Sequence, residues 1–289
     1  MLSQPRVFRT MLMTSAVNPR HYQAALQSGA DVCTLDLEDA VPPARRQEAR
    51  SCTSRFFEGP SDCVRALRIN SLRTADGLRD ILALLEGTVR PDALLVPKVN
   101  SVHDLLILEE LLGDHLTDIG YLVTIETAAG LSAVEEIATA TPRVRALVFG
   151  AADFAAELGI SMEWDPLLYV RSRIIAAAAG AGIPAIDAPT FDLGSEAGLK
   201  IDVSRSRELG FQGKAAVHPR QVTAINEAFT PLPAEVQRAR RVIDMAHGRS
   251  GQIGVIDGQM IGPPMVAAAH RILWRVNALD AQSRQPSGF

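Results

Sequence analysis

The sequence predicts an α/β protein: a closed, parallel (β/α)8 TIM barrel followed by a C-terminal helical segment. Three observations predict it. Eight short apolar or β-branched runs recur between residues 8 and 218. Longer stretches with apolar residues three and four positions apart separate them. Several of the runs, YLVTI and VRALVF among them, are mostly apolar without strict alternation and read as strands buried on both faces. An open doubly wound sheet is the alternative, but no G-x-G-x-x-G turn follows the first strand, which removes the usual dinucleotide argument. A length of 289 residues suits one barrel, which takes about 250.

The expected strands, in order, are FRTMLMT (8–14), DVCTLDL (31–37), VRALRIN (64–70), DALLVPK (92–98), GYLVTIE (120–126), VRALVFG (144–150), IPAIDA (183–188) and GKAAVH (213–218). Between them, TADGLRDILALLEG and SVHDLLILEELLGDHL read as amphipathic helices. After the eighth unit, PLPAEVQRARRVIDMAHG (231–248) reads as a proline-started helix. The Gly-rich piece GQIGVIDGQMIG follows, then a second proline-opened helix, PPMVAAAHRILWRVNALD, and a frayed tail, AQSRQPSGF. Residues 1–230 are therefore the expected barrel and 231–289 an extension. The extension is either a helix pair packed on the barrel or a lid or subunit-contact arm over a strand-end site.

Composition excludes several functions. With 47% hydrophobic and 21% charged residues the chain is an ordinary globular protein, and a net charge of −4 with no dense Lys/Arg run argues against nucleic acid as a partner. No stretch approaches a membrane span of about 20 apolar residues, and MLSQPRVFRT lacks the apolar region of a signal peptide. The three cysteines, Cys33, Cys52 and Cys63, lack metal-ligand spacing and read as reduced thiols of a cytoplasmic protein.

The polar residues gather at one end of this frame. Glu38 and Asp39 end the second strand, Arg68 the third, Lys98 the fourth and Glu126 the fifth, and Asp153 follows the sixth. Barrel enzymes carry their chemistry at that rim. Two carboxylates from neighbouring strands, Glu126 and Asp153, suit a hard cation such as Mg2+, although either could instead cap the helix that follows it. Arg68 stands in an apolar strand and needs an anion: the carboxylate of an organic acid, gripped through two parallel hydrogen bonds, or a core acid such as Glu38 or Asp39. Lys98 is a substrate-binding candidate or an ion-pair partner within the rim. Asp39 is an acid/base candidate or a helix N-cap. A metal beside Arg68 would polarise the carbonyl of a bound 2-oxo acid and stabilise an enolate, which points to aldol or Claisen-type chemistry.

LDLEDAV, RIN, PKV, IET, GAADF and GKAAVHPRQV occur in an order and spacing that resemble the HpcH/HpaI aldolase and citrate lyase family, its citrate lyase β-subunit-like (CitE-like) branch above all. The resemblance implies a TIM barrel, Mg2+, a homotrimer or hexamer, and a carbon–carbon lyase that cleaves or forms 3-hydroxyacyl-CoA thioesters with a 2-oxo acid as one product. It implies Glu126 and Asp153 as metal ligands, Arg68 as carboxylate clamp and catalytic residue, and Glu38 and Asp39 as the catalytic acids of the LDLEDAV loop. Two departures stand out. The first strand ends in MLMTSAVNPR where the family has a Phe-Val-Pro-Gly-like turn. Gly262 stands where many relatives carry an aspartate in Met-Ile-Asp-x-Pro that serves a neighbouring subunit. Asp257 is the nearby acid, although before Gly258 it reads more readily as a turn residue. Two further functions remain in view: thioester hydrolysis at the same site, and a silent acid- and metal-binding subunit.

Overall fold

The computed structural model describes residues 6–87, 89–248 and 254–284. Eight strands close into the expected parallel barrel: β1 (Thr10–Ser15), β2 (Val32–Asp36), β3 (Val64–Arg68), β4 (Ala93–Val96), β5 (Gly120–Ile125), β6 (Val144–Phe149), β7 (Ala185–Asp187) and β8 (Gly213–Ala216). Each pairs with the next, and β8 pairs with β1 to complete the ring. The strands fall within the runs read from the sequence except at β1, which runs one residue past its run to Ser15.

Strand period decides which side chains enter the barrel. Met11, Val32, Val64, Ala66, Ala93, Leu95, Leu122, Ala146, Val148, Ile186 and Ala215 form one buried cluster, the filled interior. The alternate residues, among them Leu35, Leu67, Leu94, Tyr121, Val123, Leu147 and Phe149, join the larger cluster between sheet and helices. The helix Ala75–Glu86 starts at Thr74, whose hydroxyl accepts from the Gly77 N–H. Ser101 and Asp104 cap Val102–Leu112 reciprocally. That helix is less amphipathic than its spacing suggests: Leu105, Leu108 and Leu112 are buried, yet Leu106, Ile107 and Leu111 face outward.

Between the sheet and its helices lies a closed ionic cluster. Asp187 and Lys214, on the outer face of β7 and β8, are both fully buried. Lys214 Nζ lies 3.0 Å from Asp187 and 2.9 Å from Asp202, Arg171 Nε donates to Asp187 at 3.1 Å, and the Ser206 hydroxyl donates to it at 2.5 Å. Burial works against the Asp187 carboxylate, but Lys214 and Arg171 hold its pKa below the ordinary value.

The chain leaves the barrel after the helix Val222–Phe229 and forms two long helices, Pro233–Gly248 and Pro263–Gln282, which pack through Ala239, Val242, Ile243 and Ala269. A hairpin of β9 (Gly254–Ile256) and β10 (Gln259–Ile261) joins them. Its two-residue turn is Asp257–Gly258, both at positive φ (52° and 75°) as tight hairpin turns require. Residues 251–253 and 285–289, parts of the expected Gly-rich piece and tail, lie outside the described residues. The anchors of this extension decide where it sits. Arg275 donates to Phe229 O and Gln212 O, Gln282 exchanges hydrogen bonds with Val7, and Arg207 pairs with Glu235. Val7 and Gln212 precede β1 and β8, so the extension is fixed to the N-terminal end of the barrel. Within one chain it is not a lid over the strand C-terminal rim, as one sequence reading had it.

Candidate active site

The inward-facing series of three strands end in charged residues. Val32, Thr34 and Asp36 lead to Glu38; Val64 and Ala66 lead to Arg68; Leu122 and Thr124 lead to Glu126. Period two therefore carries the apolar interior upward into a charged layer at the rim. Above it opens a cavity of about 810 Å3, lined by Asp36, Asp39, Arg68, Glu126 and Asp153 among others, with Met11, Leu95, Val148 and Ala215 from the apolar interior below.

Asp36 organises one side of this layer. It stands opposite Arg68 in the β2–β3 register and takes both prongs of the guanidinium, Nε to Oδ1 at 2.7 Å and Nη2 to Oδ2 at 2.5 Å. The same carboxylate accepts the main-chain N–H groups of Glu38 and Ala40, folding the acid loop back over β2. Burial alone would lower the Arg68 pKa; Asp36, Glu38 and Asp39 raise it instead. This amends the clamp expected of Arg68, because its two-pronged face is occupied by a core acid. Only Nη1 turns to the outer acids, 3.3 Å from Glu38 and 3.2 Å from Asp39. Asn70 of the RIN segment ties the layer together by donating to Leu37 O and to the buried Asp80. Asp36, not among the residues expected at the site, carries the same sequence signal as Arg68, a charge in an apolar strand.

The other side is built on Glu126, which is 2% exposed. Its Oε1 accepts the Lys98 main-chain N–H at 2.7 Å. Its Oε2 lies against Gly150, where an added Cβ would come within 2.4 Å of that oxygen and of Glu126 Cβ. The first glycine of GAADF is thus required by the acid beside it. Asp153 sits in the first turn of the helix Ala151–Leu158. Lys98 Nζ donates to Glu38 Oε1 at 2.8 Å and lies 3.8 Å from Asp39 and 3.9 Å from Asp153. The capping alternatives fall away for two of the acids. Thr127, not Glu126, caps Ala128–Ser132, and the helical run after Asp39 starts only at Pro43.

The electrostatics favour a cation. Five carboxylates, Asp36, Glu38, Asp39, Glu126 and Asp153, face two cations, Arg68 and Lys98. Burial, and then the charges of Glu38 and Asp153, push Glu126 up to about 8. Burial also raises Glu38, whose Oε2 has an ion-pair neighbour in Arg68 but no hydrogen-bond partner. Oxygen donors short of positive charge fit a hard divalent ion. Among the described residues no group of three or more His, Cys, Asp or Glu stands ready to chelate a metal. Such an ion would therefore keep several waters, as Mg2+ does.

Two histidines absent from the sequence reading line the same cavity, His21 after β1 and His218 after β8. His218 Nδ1 accepts the Arg220 N–H at 3.2 Å, which caps the next helical turn and fixes the ring. No charge or spacing signal marked either. Asp257 and Gly262 belong to the extension and stand away from the rim. Asp257 is a half-exposed turn residue paired with Arg241 at 2.8 Å, and Gly262 precedes the helix opened by Pro263. All three cysteines are free thiols. No described helix is long and apolar enough to cross a membrane.

Comparison with known proteins supplies the family. Residues 9–219 match the HpcH/HpaI aldolase/citrate lyase family. The chain is 35% identical over 267 residues to L-malyl-CoA/beta-methylmalyl-CoA lyase of Rhodobacter capsulatus, covering 82% of this chain and 84% of that one. It is 31% identical over 284 residues to the citrate lyase subunit beta of Escherichia coli K12, covering 93% of each. Among solved structures, CitE of Mycobacterium tuberculosis in complex with magnesium, acetoacetate and coenzyme A superposes with a TM-score of 0.80 at 29% identity, covering 95% of this chain and all of that one. RipC of Yersinia pestis superposes at 0.70 with 43% identity, covering 79% of this chain and 98% of that one. The chain belongs to the HpcH/HpaI aldolase/citrate lyase family, and the carbon–carbon lyase class expected from the sequence is that of the malyl-CoA lyase and citrate lyase relatives.

Proposed function

We propose that this family member is a Mg2+-dependent carbon–carbon lyase acting on a short-chain 3-hydroxyacyl-CoA, or a related hydroxy acid, and releasing a 2-oxo acid. The observation that carries the proposal is the acid-rich rim, in which the buried Glu126 and the accessible Asp153 face one cavity with too little positive charge. Glu126 and Asp153 would hold the ion. Bound there, it would polarise a 2-oxo acid's carbonyl and stabilise the enolate on the retro-Claisen or aldol path. Arg68, its fork fixed on Asp36, would offer Nη1 to the substrate carboxylate. Asp39, half exposed at the cavity edge, is the group best placed to move a proton, and Lys98 keeps Glu38 paired. The apolar walls from Met11, Leu95, Val148 and Ala215 suit a small acyl group.

Residues 1–230 carry this chemistry, and residues 231–289 serve subunit contact. The hairpin and its helices expose Val255, Met260, Met265 and Trp274, an apolar surface that a neighbouring copy would cover in a homotrimer or hexamer. Because the extension is anchored at the far end of its own barrel, it can reach a rim only in another subunit. Light scattering tests this part: a monomeric mass would exclude it.

Thioester hydrolysis and a silent subunit are the competing readings, and one assay separates all three. Purified protein with Mg2+ is offered malyl-CoA, citramalyl-CoA and hydroxymethylglutaryl-CoA. The proposal expects an acyl-CoA together with a 2-oxo acid (an oxo acid in the last case). Free CoA and the hydroxy acid, with no oxo acid, indicate hydrolysis, and binding without turnover indicates a silent subunit.

A further inference from the structure

Lys98 is a non-glycine residue with φ of 53°, in the left-handed region. Such a conformation is disfavoured for a residue with a Cβ and persists only where the surroundings impose it. Asp257, the other described non-glycine residue there, has a local reason in its hairpin turn. Lys98, after Pro97 at the end of β4, has none. What the turn accomplishes is visible in its contacts. It points the main-chain N–H at Glu126 Oε1, 2.7 Å away, while the side chain reaches Glu38 Oε1 at 2.8 Å. One residue therefore grips acids from β5 and from the β2 loop in two ways.

The ammonium is also placed differently from the other rim cation. Arg68 is locked into Asp36, and its side chain is 14% exposed. The Lys98 side chain is 36% exposed, with one hydrogen bond and two longer ion pairs, to Asp39 at 3.8 Å and Asp153 at 3.9 Å. Four methylenes let such a charge shift among these acids.

We propose that Lys98 is a positioning residue whose ammonium serves as the site's own cation. It holds the acid ring together when no metal is bound and competes with the divalent ion for it, while its strained main chain aims Glu126. The proposal rests on Glu126 and Asp153 as metal ligands. It differs from the sequence expectation of a substrate-binding lysine, because it makes metal affinity rise when the charge is removed.

Calorimetric titration of Mg2+ into the full-length protein and its Lys98→Met, Lys98→Gly and Lys98→Arg variants tests it. Removing one positive charge beside the ion should tighten Mg2+ binding on the order of tenfold in the Met and Gly variants. Arg, which keeps the charge, should stay within about twofold of the parent. Without metal the Met variant should melt below the parent, and saturating Mg2+ should close that gap. Lys98→Gly and Lys98→Ala separate the main-chain action: both lose the ammonium, but only glycine takes this φ without strain, so the Ala variant should melt lower. Equal melting of those two would remove the main-chain part. Mg2+ affinity in Lys98→Met equal to or weaker than the parent's would overturn the competing-cation part. If the parent itself takes up no Mg2+, the metal reading fails first and this inference falls with it.

Discussion

Two of the places where the barrel buries charge are built on opposite rules. Behind β7 and β8, Asp187 and Asp202 meet Lys214 and Arg171 in a cluster where anions and cations balance, and the Asp187 pKa is held down. At the rim, five carboxylates meet two cations beneath an open cavity, and the Glu126 pKa is pushed up to about 8. Both regions hold a side chain that is almost fully buried and ionisable. Burial alone therefore does not mark a site. What distinguishes the rim is charge left uncompensated where a ligand can arrive.

The sharpest way to break this comparison is to remove one acid from each region. Glu126→Gln should abolish Mg2+ binding and reduce lyase turnover by at least about 10²-fold, yet leave the metal-free protein as stable as the parent or more so, since the amide relieves a crowded carboxylate. Asp187→Ala should do the reverse. It leaves Arg171 and Lys214 buried with less counter-charge, at about 3 to 5 kcal/mol of stability in urea unfolding. Equal losses of stability in both variants would make the rim a second structural cluster.

The fold was legible because strand period and helix spacing repeat eight times. The candidate site is legible where a charge ends an apolar run, as at Arg68, Glu126 and the Glu38–Asp39 pair, which the fold brings to one rim. Asp36 shows the limit, since a strand that ends in LDLED offers three acids and no local rule says which one faces a guanidinium; the β2–β3 register decides that. Lys98 shows another. Its left-handed turn has no signal in P-K-V, because the conformation is imposed by Glu126, 28 residues away. The extension's anchoring depends on Arg275 and Gln282 meeting main-chain groups of distant segments, which spacing cannot reveal.

The two regions also respond differently to pH. Glu126 has a folded-state pKa of about 8 against an ordinary 4.5, so the folded state holds its proton more tightly than the unfolded state does. Its contribution to stability is fully present below about 4.5 and is lost as pH rises through about 8. Metal-free protein should therefore melt at falling temperature between pH 5 and 8, and Mg2+ should reverse the trend at the upper end. Asp187, shifted the opposite way, contributes nothing to that slope over this range. A flat melting profile in the metal-free protein would remove the charge imbalance at the rim.

The smallest effect is expected at the extension's acid. Asp257 pairs with Arg241 at the surface, where both are half exposed. Asp257→Asn should alter stability by less than about 1 kcal/mol. It should leave turnover unchanged, asparagine being equally at home in the turn. A large loss of turnover would place Asp257 at a neighbouring subunit's rim and make it, not Asp39, the proton-transfer group.

The uncompensated acids at the rim are proposed to bind a divalent cation. Calorimetry of Mg2+ into the metal-free protein at pH 8, beside the Glu126→Gln and Asp153→Asn variants, tests this most directly. The parent should bind one ion per chain and neither variant any. Unchanged Mg2+ affinity in both variants, or no uptake by the parent, would contradict it.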